Sequence, residues 1–428
     1  MMRLKCFALG VLVLLVGTWL AAAGVRGGDW PQFRGPTVQG TCEETNLPTV
    51  WSAETNVVWK TAIPGDGWSS PAIVAGRVFL TTATEGGETC RVLAVDTATG
   101  KVLWDRDVFS QLLRRKEDRN SYATPTPAAD AERVYTCFGD GSFAACDRGG
   151  NVVWTNRNYP HYSKHGMGTS PILYRDLLIM ARDGSSDGPD PALGWTKPWD
   201  KAYIVALDVR TGAERWKASR GMSRVSHGVP VIWGEASGGP QLVSESGDVL
   251  QGFDPATGAR LWTSRVIGEG KVPSVVLGEG LAFTSGGYSG RESIKGFRLG
   301  GSGDLEESNL VWEVKRGMPK VPSLIHVAPH VYAVSDAGVL SCIVAKTGEL
   351  LWQERLGGNF SASPISSEGH VYFLADDGTT TIVEAGPTFR VISRNLLGEK
   401  CQASIAVSNG RLFIRTEKNL YCIGGSAK

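Results

Sequence analysis

Two short patterns alternate along most of this chain, and their alternation limits the fold more than any other feature. The first is a small residue and a proline, an apolar stretch, a glycine-bearing turn and a second apolar stretch. It is clearest from Ser70-Pro71 to Leu80. It returns at Thr126-Pro127, Ser170-Pro171, Val229-Pro230, Val272-Pro273, Val321-Pro322 and Ser363-Pro364, with a weaker copy at Ala403-Ser404. Each copy reads as two strands joined by a tight turn, with proline at a strand start where no ladder donor is required. The second pattern is Asp, three residues, Gly, three residues, Trp. It pairs Asp96 with Trp104, Asp208 with Trp216 and Asp254 with Trp262. The copy from Asp147 to Trp154 is one residue shorter, the copy ending at Trp352 lacks the Asp, and the copy ending at Trp312 carries a Gly-rich insertion. Each reads as a hairpin whose turn asks for glycine at positive φ.

Eight starts, at intervals of roughly forty to sixty residues, leave room for four strands each, which is the content of a propeller blade. The eighth unit stops at Tyr421-Cys422-Ile423-Gly424 with no outer strand, whereas Asn56-Val57-Val58-Trp59 reads as an outer strand with nothing before it. The expected fold is therefore all-β. It is an eight-bladed β-propeller over residues 56–424, with residues 56–60 completing the last blade and removing the unpaired edge it would otherwise expose. A parallel β-solenoid would need shorter rungs and would leave both ends incomplete.

The first residues set the compartment. Arg3 and Lys5 precede an apolar run from Phe7 to Leu20, followed by Ala21-Ala22-Ala23-Gly24. A basic start, a short apolar core and small residues form an export signal, expected to be cleaved after residue 23. Residues 24–55 form a leader segment and residues 425–428 a tail. No later run is long enough to span a bilayer, and no cysteine follows the signal closely enough for lipid attachment. Of the eight cysteines, Cys6 lies in the signal and an odd number remain. Export permits disulfides; Cys137 and Cys146 flank a hairpin turn and either face each other or serve as small buried strand residues. No CxxC or CxxCH occurs, so a zinc ribbon and covalent haem are not indicated. A net charge of +1 gives no global field for nucleic acid or an anionic membrane.

The Ala/Val-x-Asp-x-x-Thr-Gly-x-x-x-Trp motif resembles the tryptophan-docking repeat of the pyrroloquinoline-quinone (PQQ) enzymes and their non-catalytic relatives. The resemblance covers almost everything from residue 56 to 424. It implies that Trp59, Trp104, Trp154, Trp216, Trp262, Trp312 and Trp352 each pack on a glycine turn of the neighbouring blade; the seventh unit lacks its Trp. Asp29-Trp30-Pro31-Gln32-Phe33-Arg34-Gly35-Pro36 is similar to the leader of many exported bacterial proteins with this repeat. Within the family, the chain looks more like the propeller subunit of the outer-membrane β-barrel assembly machinery than like the PQQ dehydrogenases. It departs from that subunit in lacking a lipid-attachment cysteine.

A fold of this kind does not specify an activity. A PQQ dehydrogenase would need a catalytic Asp, oxygen ligands for Ca²⁺ and aromatic walls. The adjacent cysteines many eight-bladed members carry are missing here. No Ser/His/Asp triad, P-loop or HExxH motif is visible. No catalytic, cofactor-binding or metal residue is therefore expected. Two insertions stand out. Residues 105–122 carry Arg106, Arg114, Arg115, Lys116 and Arg119 and read as a short basic surface helix. Residues 183–199 hold Asp183, Asp187 and Asp190 in a Gly-rich loop with Trp195 and Trp199, a polar turn more than a calcium loop. Ahead of each first strand, where the chain enters the funnel around the axis, stand Trp68, Tyr122, His165, Arg224, His227, Lys271, Lys320, Phe360 and Gln402. Their Lys, Arg and His side chains, converging, would attract an anionic ligand or an acidic segment of a partner. The expected function is a monomeric, non-enzymatic scaffold that binds protein partners in the periplasm or cell envelope. The alternatives are a PQQ- and calcium-dependent oxidoreductase of alcohols or sugars, and a carbohydrate-binding propeller.

Overall fold

The computed structural model describes residues 28–234, 238–266, 271–287, 292–305, 309–315 and 317–424. The expected signal peptide, the start of the leader and the tail lie outside these residues. Eight sheets follow one another around a ring, seven of four antiparallel strands and one of five whose added outermost strand runs parallel. Blade one shows the plan, running outward from the axis through Ala72–Val74, Arg77–Thr84, Thr89–Asp96 and Val102–Ser110. Blade eight takes three strands from the end of the chain, Ala406–Ser408, Arg411–Arg415 and Asn419–Ile423, and its outer strand, Val57–Ala62, from the beginning. The ring is closed by the N-terminal strand.

Glu399 clasps this closure. Its carboxylate meets Lys60 Nζ of the closing strand at 2.7 Å and accepts hydrogen bonds from Thr416 Oγ1 at 2.6 Å and Tyr421 Oη at 2.6 Å. Burial by itself would raise the Glu399 pKa, but hydrogen bonds from Lys60, Thr416, Tyr421 and Asn419 outweigh it and hold the carboxyl down to about 2. A depressed carboxylate stabilises the fold above its unfolded pKa, and the contribution fades as pH falls through the folded value. Glu399→Gln should lower the unfolding free energy at neutral pH by on the order of 2 kcal/mol, after screening at the half-exposed Lys60. In urea titrations the gap from wild type should close as pH falls from about 5 to about 2. A gap that stays constant with pH would count against the clasp.

Successive blades are tied through the second sequence pattern. The Trp104 indole N–H donates to the Arg148 carbonyl at 2.8 Å, that of Trp154 to Val209 at 3.0 Å, and that of Trp312 to Ala345 at 2.9 Å. Trp59, Trp216 and Trp352 do the same toward Thr97, Pro255 and Gly386. At Gly100, Gly150, Gly212, Gly258 and Gly348 the turn has positive φ, and a Cβ would meet the docked indole at 2.5–2.7 Å. Glycine is needed there both for conformation and for close approach. The ladder slips by one residue beside the indole (Ala94/Val95, Ala145/Cys146, Ala206/Leu207), a bulge that re-aims the outer strand.

Trp262 departs from this plan. Its indole N–H donates to Gln241 of its own blade at 2.8 Å. The Gly-rich insertion of blade five has removed the usual turn and instead lays Gly303–Leu305 in parallel along the outer strand Arg260–Arg265. Blade seven, which has no Trp, is served from the leader. Trp51 is buried among Ile382, Leu397 and Ile405, with its backbone N–H on Asn395 Oδ1 at 2.9 Å.

Cys137 and Cys146 prove to be small buried strand residues. All seven described cysteines are free thiols. Cys137 pairs across its ladder with Phe143 and Cys146 with Val134, and the two lie in different core clusters, so they do not face each other. Cys342 and Cys422 sit opposite Trp352 and Trp59, where Ala94, Ala145 and Ala206 sit under other indoles. A small side chain leaves room for the ring.

The leader is a plug. The first strand of every blade is a sheet edge whose free N–H groups face the axis and need acceptors. Trp30 pairs in both directions with Ile73 of blade one at 2.7 Å, and the Pro31 carbonyl accepts from Ala129 N of blade two at 2.8 Å. Gln32 Oε1 accepts from Leu173 N of blade three at 2.8 Å, and Gln39 Oε1 from Leu277 N of blade five at 2.7 Å. Arg34 donates to the Leu324 carbonyl of blade six, Gly40 accepts from Ser366 N of blade seven, and Gly28 accepts from Ser408 of blade eight. At blade four, Val38 packs into the cluster of Val229 and Val231. Trp30 folds over Gly35, where a Cβ would sit 2.9 Å from the ring.

Candidate functional site

Because the leader covers one end of the axis, the cavity along it opens only at the other face. Its volume is about 190 Å³, with Phe33 as its floor.

Residues two apart in an extended chain share a face, and this places two layers of side chains on the axis, one residue per blade in each. The inner layer lies two positions before each first strand. In it Ser70 N donates to Thr126 Oγ1 and Thr126 N to Ser170 Oγ, both at 2.9 Å. On the far side Val229 N donates to Ser274 Oγ, Ser274 N to Ser323 Oγ and Ser323 N to Ser363 Oγ, at 3.0–3.1 Å. Ser363 N to Ser404 Oγ and Ser404 N to Ser70 Oγ, both 2.9 Å, complete the circle. It is interrupted only where Ser170 meets Val229, and there Thr169 Oγ1 donates to the Gly228 carbonyl. This layer also corrects the register read for blades five and six: Ser274 and Ser323, and not Val272 and Val321, are the counterparts of Ser70.

The outer layer lies two residues earlier. Trp68, His227 and Gln402 belong to it and line the cavity, with Thr124, Gly168 and Ser361, and with Val272 and Val321 as an apolar arc. His227 is only 8% exposed, and burial pulls its pKa down to about 4, so the ring is neutral at physiological pH. Neither of its nitrogens has a hydrogen-bond partner among the described residues. Gln402 Oε1 is likewise buried without one.

The expectation of converging cations is overturned by the same alternation. Lys271, Lys320 and Phe360 stand one residue before the cavity-lining positions; Lys271 and Phe360 turn into the blades, and Lys320 stays partly exposed. Lys271 is buried against Glu245, Lys320 pairs with Glu292 at 3.0 Å, and Phe360 joins the core. Arg224 is clamped by Asp248, and Tyr122 packs inward with its hydroxyl donating to the Arg114 carbonyl at 2.7 Å. Of the nine expected funnel residues, Trp68, His165, His227 and Gln402 line the cavity.

The two insertions build one side of the mouth. Residues 111–122 contain no helix: the outer strand of blade one runs to Ser110 and an irregular segment follows. Arg114 pairs with Asp187 of the second insertion and lies over the Tyr162 ring. His165 Nδ1 meets Glu117 Oε1 at 2.9 Å, and its ring packs on Trp195 at 4.4 Å between centroids. Trp195 and Trp199 are half-buried, and Trp195 lines the cavity. The carboxylates of the second insertion are dispersed. Asp183 pairs with Arg220 at 2.7 Å with both side chains fully buried, and Asp190 pairs with Lys197. Among the described residues no three His, Cys, Asp or Glu groups come together to hold a metal ion, and Glu117 is the single carboxylate lining the cavity. The residues present do not fit a Ca²⁺–quinone pair.

A family model described as outer membrane protein assembly factor BamB matches residues 50–224, 200–329 and 245–387. The chain belongs to that family. No curated protein matches it. Among solved structures, BamB from Moraxella catarrhalis is 17% identical, with 87% of this chain and 98% of that one covered, at a TM-score of 0.60. Quinohemoprotein alcohol dehydrogenase from Comamonas testosteroni is 14% identical over 95% and 82%, at 0.58. The computationally designed Ika8 protein is 14% identical over 85% and 98%, at 0.57. An enzyme, an assembly factor and a designed protein share this architecture, so these likenesses speak to the BamB-type fold and not to chemistry.

Proposed function

We propose that this chain is a non-enzymatic, exported propeller of the cell envelope that serves outer-membrane protein assembly by holding protein partners, acting as a single ring. Its membership of the BamB family carries this reading. The outer blade edges support it physically. Blade four already accepts an added strand, Gly303–Leu305, along its rim. Other rims present exposed apolar bulge residues, among them Leu103, Val153 and Val311 at 41–42% exposure. Open edges of this kind accept a partner strand, with pockets for alternate side chains giving selectivity. Among the described residues no helix is long and apolar enough to cross a membrane.

Deleting the gene in its native host should lower the yield of folded, heat-modifiable outer-membrane barrels, and the wild-type copy should restore it. Unchanged barrel yields would sink the assembly role. Purified protein given PQQ and Ca²⁺ should show no dye-linked oxidation of alcohols or sugars. Turnover there would overturn the non-enzymatic part.

A further inference from the structure

The axial cavity is more finished than a scaffold needs. Each Ser or Thr oxygen of the inner layer accepts a backbone N–H from the preceding blade, which fixes the oxygen but spends only its acceptor side. The hydroxyl protons of Ser70, Ser274, Ser323 and Ser404, like those of their neighbours, have no acceptor among the described residues. Above them the neutral His227 ring, 8% exposed and without a hydrogen-bond partner among the described residues, lines the cavity beside Gln402. Hydroxyl protons and an imidazole that no protein group engages are available to whatever fills the space between them.

The chemistry of the lining selects the class. Donors and acceptors are interleaved: hydroxyl groups below, a neutral imidazole and a side-chain amide above. The two full charges at the mouth, Arg119 and Glu117, are of opposite sign and give no net attraction for an anion. An anion would be desolvated against hydroxyls with no dedicated cation, at a penalty these contacts do not offset. The Trp68 and Trp195 rings and the Val272–Val321 arc provide flat and apolar surface for carbon-bound hydrogens. We propose that the cavity binds a small, neutral, polyhydroxylated ligand, a free monosaccharide or short saccharide, with its hydroxyls on the inner layer, His227 and Gln402. The site is independent of the blade rims on which protein partners are proposed to dock.

The test uses the full mature chain. D-glucose, N-acetyl-D-glucosamine and maltose are titrated against tryptophan fluorescence and saturation-transfer NMR, with PQQ and citrate as anionic probes. At least one sugar should bind, and neither anion should. His227→Phe keeps the shape but removes both nitrogens and should weaken binding about tenfold, the cost of a lost buried hydrogen bond. Val321→Trp places bulk on the axis without touching a blade core and should abolish binding while leaving the thermal unfolding midpoint in place. No sugar binding at concentrations of about 10 mM, where a weak millimolar site would fill, would overturn the proposal. So would binding of PQQ or citrate instead, or sugar binding that survives Val321→Trp. If His227→Phe misfolds, Val321→Trp still decides the matter.

Discussion

A chain lacking residues 29–62 but keeping residues 1–28 should aggregate, with no soluble ring recovered. Two separate losses combine. Removing Val57–Ala62 strips the outer strand from blade eight and bares the edge of Asn419–Ile423, whose Tyr421 and Cys422 are almost fully buried in the intact ring. An exposed, apolar edge of this kind is a template for association. Removing the leader takes the acceptors from Ile73, Ala129, Leu173, Leu277 and Ser366 on the inner edges, and each hydrogen bond lost to water costs about 0.5–1.5 kcal/mol. That sum is a large part of the whole stability of a typical domain, about 5–15 kcal/mol. A milder variant separates the contributions. Trp59→Ala leaves both strand and plug in place but loses the indole that rests on Gly100 and Thr97, and should cost about 2–3 kcal/mol, since Trp59 is only half-buried. Soluble recovery and urea unfolding measure the two cases. A soluble, cooperatively unfolding ring from the deleted chain would refute closure by the N-terminal strand.

Arg220→Met should be the most damaging single substitution away from the closure, at about 3–5 kcal/mol, because it leaves the charge of Asp183 alone in the interior. Burial already pushes the Asp183 pKa up to about 7, with Arg220 and Ser246 holding it from rising further. The sign of the pH effect follows. An acid whose folded pKa lies above its unfolded value contributes stability in full below the unfolded pKa and loses it as pH rises through the folded one. Without Arg220 the folded pKa climbs further, so the variant should be much weaker than wild type at pH 8 and closer to it at pH 5. Asp183→Asn combined with Arg220→Met should recover much of the loss, since no charge is then stranded. Urea unfolding at the two pH values checks this. Equal losses at both would mean that the damage comes from packing, through the lost Arg220 contact with Ser244.

The ring, its eight-fold count and its closure are legible in the sequence, because they depend on local chemistry repeated along the chain. A proline at a strand start, a glycine at positive φ and a tryptophan at fixed spacing each dictate a conformation within a few residues. The seven indoles were also legible. That Trp262 would turn back to Gln241 was not, because it depends on what the next blade's insertion does. The leader stood out as a motif, but its role as a plug needs eight inner edges brought to one axis from residues as distant as Ile73 and Ser408. Trp51, standing in for the aromatic bulk missing from blade seven, was missed for the same reason.

The funnel shows the boundary most clearly. Composition and position brought attention to Lys271, Lys320, Arg224 and Tyr122, yet an error of one residue in register sends a side chain to the other face. Trp68, His227 and Gln402 lie in register with the inner layer; Lys271, Lys320 and Phe360 are one residue away, Lys271 and Phe360 facing into the blades and Lys320 drawn to Glu292. Ion pairing then cancels the charge that a sequence count would place on the axis, through Glu245, Glu292 and Asp248. The sequence by itself determined the repeating unit, the number of blades and the strand that closes them, since those follow from short-range backbone preferences. Only the tertiary structure decided which face each loop residue presents, which charges meet, and that the axis is a blind, hydroxyl-lined cavity. Those depend on groups far apart in the chain whose meeting no local rule encodes.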